Sequence, residues 1–285
     1  MSNLIVGGDG LISGSLQKRM TSDSVIYEVT SRRKNAQEAG FYLDLADDPA
    51  AGNDDLLNFS TIYFFAAQTS TREILKDIQR CRSTNLLQTI KWLKFFEDPD
   101  RTIIFPSSSV VYEDSNVPPD ENTPKKPHSE YARLKAEVED YLLTCKSRVI
   151  IPRLSKTVSM TQPLFRSWYD DLTINTSIFP YFDALLSPLH IDDVSNAVLE
   201  LGEKKMLGVW NLSGSSSVSF LEYSYLFAAT FGLDAGLIEA RATDTGLMSP
   251  QRHPILNTNK AIKAFGFIPP TAADTIVSMG NEIVN

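Results

Sequence analysis

Nearly continuous apolar runs, separated by longer amphipathic stretches, fill the first half of the chain. Leu4-Ile5-Val6, Val25-Ile26-Tyr27-Glu28-Val29, Thr61-Ile62-Tyr63-Phe64-Phe65 and Thr102-Ile103-Ile104-Phe105 lack the polar alternation of a half-exposed strand, so they predict strands buried on both faces. Between them Arg72–Phe96 and Ser129–Thr144 have helical spacing, and Arg148–Leu154 reads as a further strand. Strand, helix and strand in that order predict a parallel sheet with helices on both sides.

Beyond Ser155 the pattern is less regular. Phe179–Leu186 is apolar and aromatic, Ile191–Leu201 reads as a helix and Val209–Leu212 as a short strand. Ser219–Phe231 predicts a helix closed by Gly232, and Thr258–Phe265 another. The chain has 285 residues, 42% hydrophobic and 22% charged, which is enough for a packed core and too apolar for disorder. The expected architecture is an α/β doubly wound parallel sheet over residues 1–155. A small C-terminal α/β substrate-binding subdomain is expected over 156–285, with segments around 187–212 returning to the main core.

A net charge of −8 excludes broad binding to nucleic-acid phosphates. Cys81 and Cys145 are the only cysteines and form no CxxC pair, as suits a reducing compartment without structural zinc. No leader pattern and no membrane-length apolar run is visible, so the expectation is a cytoplasmic protein with no membrane partner.

The first strand runs into Gly7-Gly8-Asp9-Gly10-Leu11-Ile12-Ser13-Gly14. Glycines here permit a tight turn and let backbone amides approach a pyrophosphate at the start of the next helix. Gly7, Gly10, Leu11 and Ile12 are therefore the expected cofactor contacts, in a Rossmann-type domain. The second strand ends in Ser31-Arg32-Arg33 with no acidic residue to accept a ribose 2′-hydroxyl; a hydroxyl donor and a guanidinium fork suit a 2′-phosphate, which favours NADP over NAD. Asp44 and Leu45 fit beside an adenine, and Ala66-Ala67-Gln68 leave room for ribose and pyrophosphate.

Tyr131 and Lys135 stand four apart in a predicted helix and share a face. An ammonium beside a phenol stabilises phenolate, and a hydroxyl from another strand can orient a substrate oxygen; together they supply acid–base chemistry at a carbonyl or alcohol. The glycine turn, the basic strand end, Phe65-Ala66-Ala67, Ser107-Ser108-Ser109-Val110-Val111-Tyr112 and Tyr131-x-x-x-Lys135 follow the order found in extended short-chain dehydrogenases/reductases, which the chain resembles. The resemblance continues in Leu189-His190-Ile191-Asp192-Asp193-Val194 and Val209-Trp210-Asn211-Leu212-Ser213-Gly214.

That resemblance implies Tyr131 as catalytic acid/base, Lys135 as the group that sets its pKa and holds ribose, and Ser108 as the catalytic hydroxyl, four residues before Tyr112, ahead of its neighbours Ser109 and Ser107. It implies Arg153, in Pro152-Arg153-Leu154-Ser155, as a contact where the strand closes over nicotinamide, and His190 as an organiser of structure. Within the family the chain looks most like dTDP-4-dehydrorhamnose reductase-type sugar-nucleotide reductases, partly through Gln251 to Lys260, where His253 interrupts an Arg-Pro pair; His190-Ile191-Asp192-Asp193-Val194 instead leans toward the epimerase and dehydratase branches. The implied reaction is NADP-dependent reduction of a keto group on a nucleotide-linked sugar, with a homodimer among the expectations; the substrate diphosphate would need basic groups, for which Arg153, Arg166 and Arg252 are the candidates. Dehydration is disfavoured, since Ser109 and Val110 stand where dehydratases carry an acidic pair. A sugar-nucleotide epimerase with bound NAD, or a non-catalytic NADP-binding sensor, are the alternatives. Ser13 keeps the last alive: it replaces the glycine that lets helix and strand pack closely, a task Gly14 is expected to share.

Overall fold

The N-terminal apolar run becomes the inner strand of the sheet. The computed structural model describes residues 2–33, 40–68, 76–243 and 254–284. β1 (Asn3–Val6) leads through the glycine turn into α1 (Leu11–Ser22), followed by β2 (Tyr27–Ser31), β3 (Phe41–Tyr42) and β4 (Thr61–Phe64). α2 (Ile78–Arg82), a π-helical segment (Ser83–Gln88) and α3 (Thr89–Phe95) come next, then β5 (Thr102–Ile104), β6 (Ser107–Ser108), α4 (Glu130–Leu142) and β7 (Arg148–Leu154). The second half contributes β8 (Lys156–Val158), α5 (Pro163–Thr173), β9 (Leu185–Leu186), β10 (Pro188–His190), α6 (Ile191–Glu203), β11 (Gly208–Leu212), β12 (Val218–Ser219), α7 (Phe220–Phe231), α8 (Asn259–Phe265) and α9 (Ala272–Val284).

The main sheet runs β11-β7-β5-β4-β1-β2-β3, with β6 beside β7. Neighbours from β7 to β3 pair in parallel, and the strand order reverses between β1 and β4. In open α/β sheets that reversal opens a crevice at the carboxyl ends of the strands. The fold is thus the expected doubly wound Rossmann-type sheet.

Some boundaries differ from the sequence pattern. β2 begins at Tyr27 and, contrary to expectation, is not buried on both faces: Glu28 is exposed, Ile26 just before it is 79% exposed, and Thr30 alone in the strand is fully buried. Part of the predicted helix Arg72–Phe96 lies outside the described residues, and the rest is broken by the π-helical segment. Nothing in the apolar pattern signals β3 or β6, whose two-residue length has no periodicity to read.

The chain divides into two units. The first comprises Met1–Val111, Lys125–Arg153 and Ser195–Trp210. Leu4, Val6, Ile62, Phe64, Trp92, Ile103 and Ile151 form its core, each 1% exposed or less. Each such side chain stabilises the fold by about 1.5–3 kcal/mol before conformational entropy is set against it. The second comprises Tyr112–Pro124, Leu154–Val194 and Asn211–Asn285, so the loop after the serine triplet belongs to it. Its core gathers Phe165, Trp168, Tyr223, Phe227, Ile276 and Met279. The capping box of Ser219 with Glu222 starts α7, and left-handed Gly232 ends it. His190 Nε2 lies 2.6 Å from Glu282 Oε1, which ties α9 to β10. Among the described residues no helix is long and apolar enough to cross a membrane.

Candidate active site

The glycine turn sits at the point where the strand order reverses. Gly7 has φ +89°, and a Cβ there would lie 2.7 Å from the Ala66 backbone nitrogen, so β1 and β4 can approach only around glycine. Gly10 precedes α1 without any side-chain cap, and the first turn carries no acidic residue. Such a helix start presents uncapped N–H groups and a partial positive charge to an anion.

Ser13 replaces glycine by filling the turn from within. It is fully buried, and its hydroxyl lies 2.7 Å from the Gly7 carbonyl and 2.9 Å from that of Gly10. Gly14 does not share this packing, contrary to expectation: a Cβ there would meet nothing within 4 Å. The serine thus stiffens the turn by a local hydrogen bond, and the adjacent glycine is not a substitute for the missing one.

Strand ends and helices then meet around a crevice lined by Ala66, Ala67, Asn85, Thr89, Phe105, Tyr131, Leu134 and Lys135. Ser129 caps α4 by accepting the Ala132 N–H at 3.2 Å, which fixes the start of the helix and hence the face shared by Tyr131 and Lys135. Lys135 Nζ donates to the Pro106 carbonyl at 2.9 Å and lies 4.3 Å from the centre of the Phe105 ring. Burial pushes its pKa down to about 8, opposed by the Glu139 carboxylate. Burial likewise pushes the Tyr131 phenol up to about 12, with the Cys81 thiol adding to the rise. In this arrangement the lysine faces a carbonyl, and the phenol is a weaker acid than in water.

The serine triplet separates into distinct environments. Ser107 and Ser109 are buried, and among the described residues the Ser107 hydroxyl has no hydrogen-bond partner; Ser108 keeps accessible surface, its Oγ 3.5 Å from the Val110 N–H. α4 packs on β6, the strand that carries Ser107 and Ser108.

The other expected contacts are not among the residues that line this crevice. The Asp44 Oδ1 accepts the Ala46 N–H at 2.9 Å, and the Leu45 carbonyl accepts Trp92 Nε1 at 3.2 Å. Ser31 is bound to Asp9, and Arg32 is exposed. Arg153 is 3% exposed and held by both carboxylate oxygens of Glu139, at 3.1 and 2.6 Å. Arg166 pairs with Asp170 at 3.0 Å on the surface of the second unit. Arg252 lies outside the described residues.

Asn85 is a site residue that sequence reasoning missed. Its Oδ1 accepts the Gln68 N–H at 2.8 Å and its Nδ2 donates to the Gln68 carbonyl at 2.7 Å. The π-helical turn presents it to the chain following β4, and such turns occur often at functional sites. The available signal was an amide between Thr84 and Leu86-Leu87, a buried position in an amphipathic helix.

Residues 3–167, more than half of the chain, match the NAD dependent epimerase/dehydratase family. The chain belongs to that family. It is accordingly an NAD(P)-dependent enzyme of the extended short-chain dehydrogenase/reductase type. Among curated protein sequences none matches it. Solved structures share its fold at low identity. The dTDP-4-dehydrorhamnose reductase of Bacillus anthracis str. Ames in complex with NADP is 15% identical, with 99% of each chain covered and a TM-score of 0.87. The UDP-glucose 4-epimerase of Thermus thermophilus in complex with NAD is 17% identical, covers 98% of this chain and 99% of that one, and has a TM-score of 0.83. The dTDP-glucose 4,6-dehydratase of Bacillus anthracis str. Ames with NAD is 18% identical, with 99% and 97% covered and a TM-score of 0.80. Reductases, epimerases and dehydratases alike therefore use this fold.

Proposed function

We propose that the protein is an NADP-dependent oxidoreductase that reduces a keto group of a nucleotide-linked sugar. The observation that carries this reading is the crevice lined by Ala66, Ala67, Tyr131 and Lys135, with Gly7 of the turn before α1 packed against Ala66. Those residues suit a dinucleotide: Ala66 and Ala67 put only methyl groups at the end of β4, and the helix start suits a pyrophosphate. The bound cofactor would exchange hydride with the substrate carbon.

The chain's own groups would handle the oxygen. Tyr131 donates its phenolic proton to the carbonyl oxygen as negative charge builds there, and Ser108 donates a hydrogen bond to the same atom. Lys135 supplies the adjacent positive charge; to serve Tyr131 it must turn from the Pro106 carbonyl, which a ribose hydroxyl accepting from its ammonium would replace. Arg32, with Ser31, supports NADP at the end of β2. Ser109 and Val110, where a dehydratase would carry acids, support reduction over elimination.

The reading is tested by following NADPH oxidation with a panel of UDP-, GDP- and dTDP-linked keto sugars. Turnover of at least one is expected. No turnover of any, with either NADPH or NADH, would overturn it.

A further inference from the structure

The glycine turn carries a carboxylate that the proposed reaction leaves without a task. Gly8 N–H donates to the Thr30 carbonyl at 2.8 Å and Gly7 N–H to Thr30 Oγ1 at 3.1 Å, so the turn is strapped onto the end of β2. Asp9 follows directly. The Ser31 hydroxyl donates to its Oδ2 at 2.7 Å, and Arg33 Nε lies 3.7 Å from its Oδ1. The Arg33 backbone N–H donates in turn to Ser31 Oγ at 3.0 Å. A hydroxyl donor and a guanidinium thus face an anion, and the chain itself provides that anion.

We propose that Asp9 sets the discrimination between NAD and NADP, because it occupies the Ser31 hydroxyl and stands beside the Arg33 guanidinium that a 2′-phosphate would need. The inference rests on the reading that the end of β2 receives the adenosine ribose. A 2′-phosphate arriving there must displace the Asp9 carboxylate and then remain beside it, like charge against like. A 2′-hydroxyl is neutral and can donate to Asp9 just as Ser31 does. The turn then supplies the acidic acceptor that an NAD-binding chain ordinarily carries at the end of β2, where this one has Ser31. Arg32 and Arg33 attract the phosphate while Asp9 opposes it, so the cofactor preference is a balance of these charges.

The test is the pair of dissociation constants for NADP and NAD in the unmodified protein and in Asp9→Asn, at one fixed salt concentration because exposed charges are screened. Removing a like charge a few ångström away should shift the affinity ratio toward NADP by about tenfold. Adenosine 2′,5′-bisphosphate should tighten in parallel, whereas 5′-AMP should not. Asp9→Ser, which keeps a turn-forming residue, should give the same shift, and ligand-free melting temperatures should match the unmodified protein. A ratio changed by less than about twofold, or shifted toward NAD, would overturn the inference. An unmodified protein that prefers NAD would remove NADP from the proposed function, yet the shift on losing Asp9 would still stand.

Discussion

Two positions one turn apart on helix α4 deal with buried cations differently: Glu139 binds Arg153 of β7, and Lys135 is itself the cation. Arg153 is gripped by both oxygens of Glu139, at 3.1 and 2.6 Å, and Lys125 Nζ lies 3.4 Å from the same carboxylate. Lys135, among the described residues, rests on the Pro106 carbonyl and the face of Phe105. A bidentate carboxylate fixes the charge of an arginine and makes it part of the architecture. A carbonyl and a ring solvate an ammonium incompletely, and the Lys135 pKa falls to about 8. One helix thus carries a carboxylate in a permanent ion pair and an ammonium whose pKa burial lowers.

The comparison can be broken first at Glu139. Glu139→Ala leaves Arg153 buried without its carboxylate, which should cost about 3–5 kcal/mol in denaturant unfolding. Loss of under about 1 kcal/mol would show that the pair is not structural. Lys135→Met should behave oppositely, matching or exceeding the unmodified protein in stability near neutral pH, because it removes an ammonium that the fold disfavours. The sign follows from its depressed pKa. Between about 8 in the folded protein and 10.5 in the unfolded chain, the unfolded state holds the proton and the folded state does not, so stability rises with pH across that window. The gain attributable to Lys135 should approach about 3 kcal/mol and vanish in Lys135→Met. Equal pH dependence in both proteins would contradict the depressed pKa.

Much of this framework was legible from residue patterns. β1, β4, β5 and β7 are largely buried on both faces, so their apolar runs reveal them with little ambiguity. Ser219 and Gly232 marked the ends of α7 because capping is a local matter of one hydroxyl and one left-handed glycine. What escaped depends on contacts distant in sequence. α9 is held by His190 and Ser159 on Glu282, and nothing within Ala272–Val284 announces those partners. The π-helical turn has no periodicity of its own at six residues, so Asn85 stayed hidden until its grip on Gln68 was visible. Tyr131 and Lys135 were readable as a spacing, but the direction of the lysine was not: Pro106 and Phe105 reach it from another element.

The central claim is that the Tyr131 phenol moves the proton in the crevice. The most direct measurement compares Tyr131→Phe with the unmodified protein for both NADPH affinity and single-turnover reduction of an accepted keto sugar nucleotide. Removing one hydroxyl should leave NADPH affinity within a few-fold, while the chemical step slows by about 10²–10⁴. Undiminished turnover with NADPH bound would contradict it.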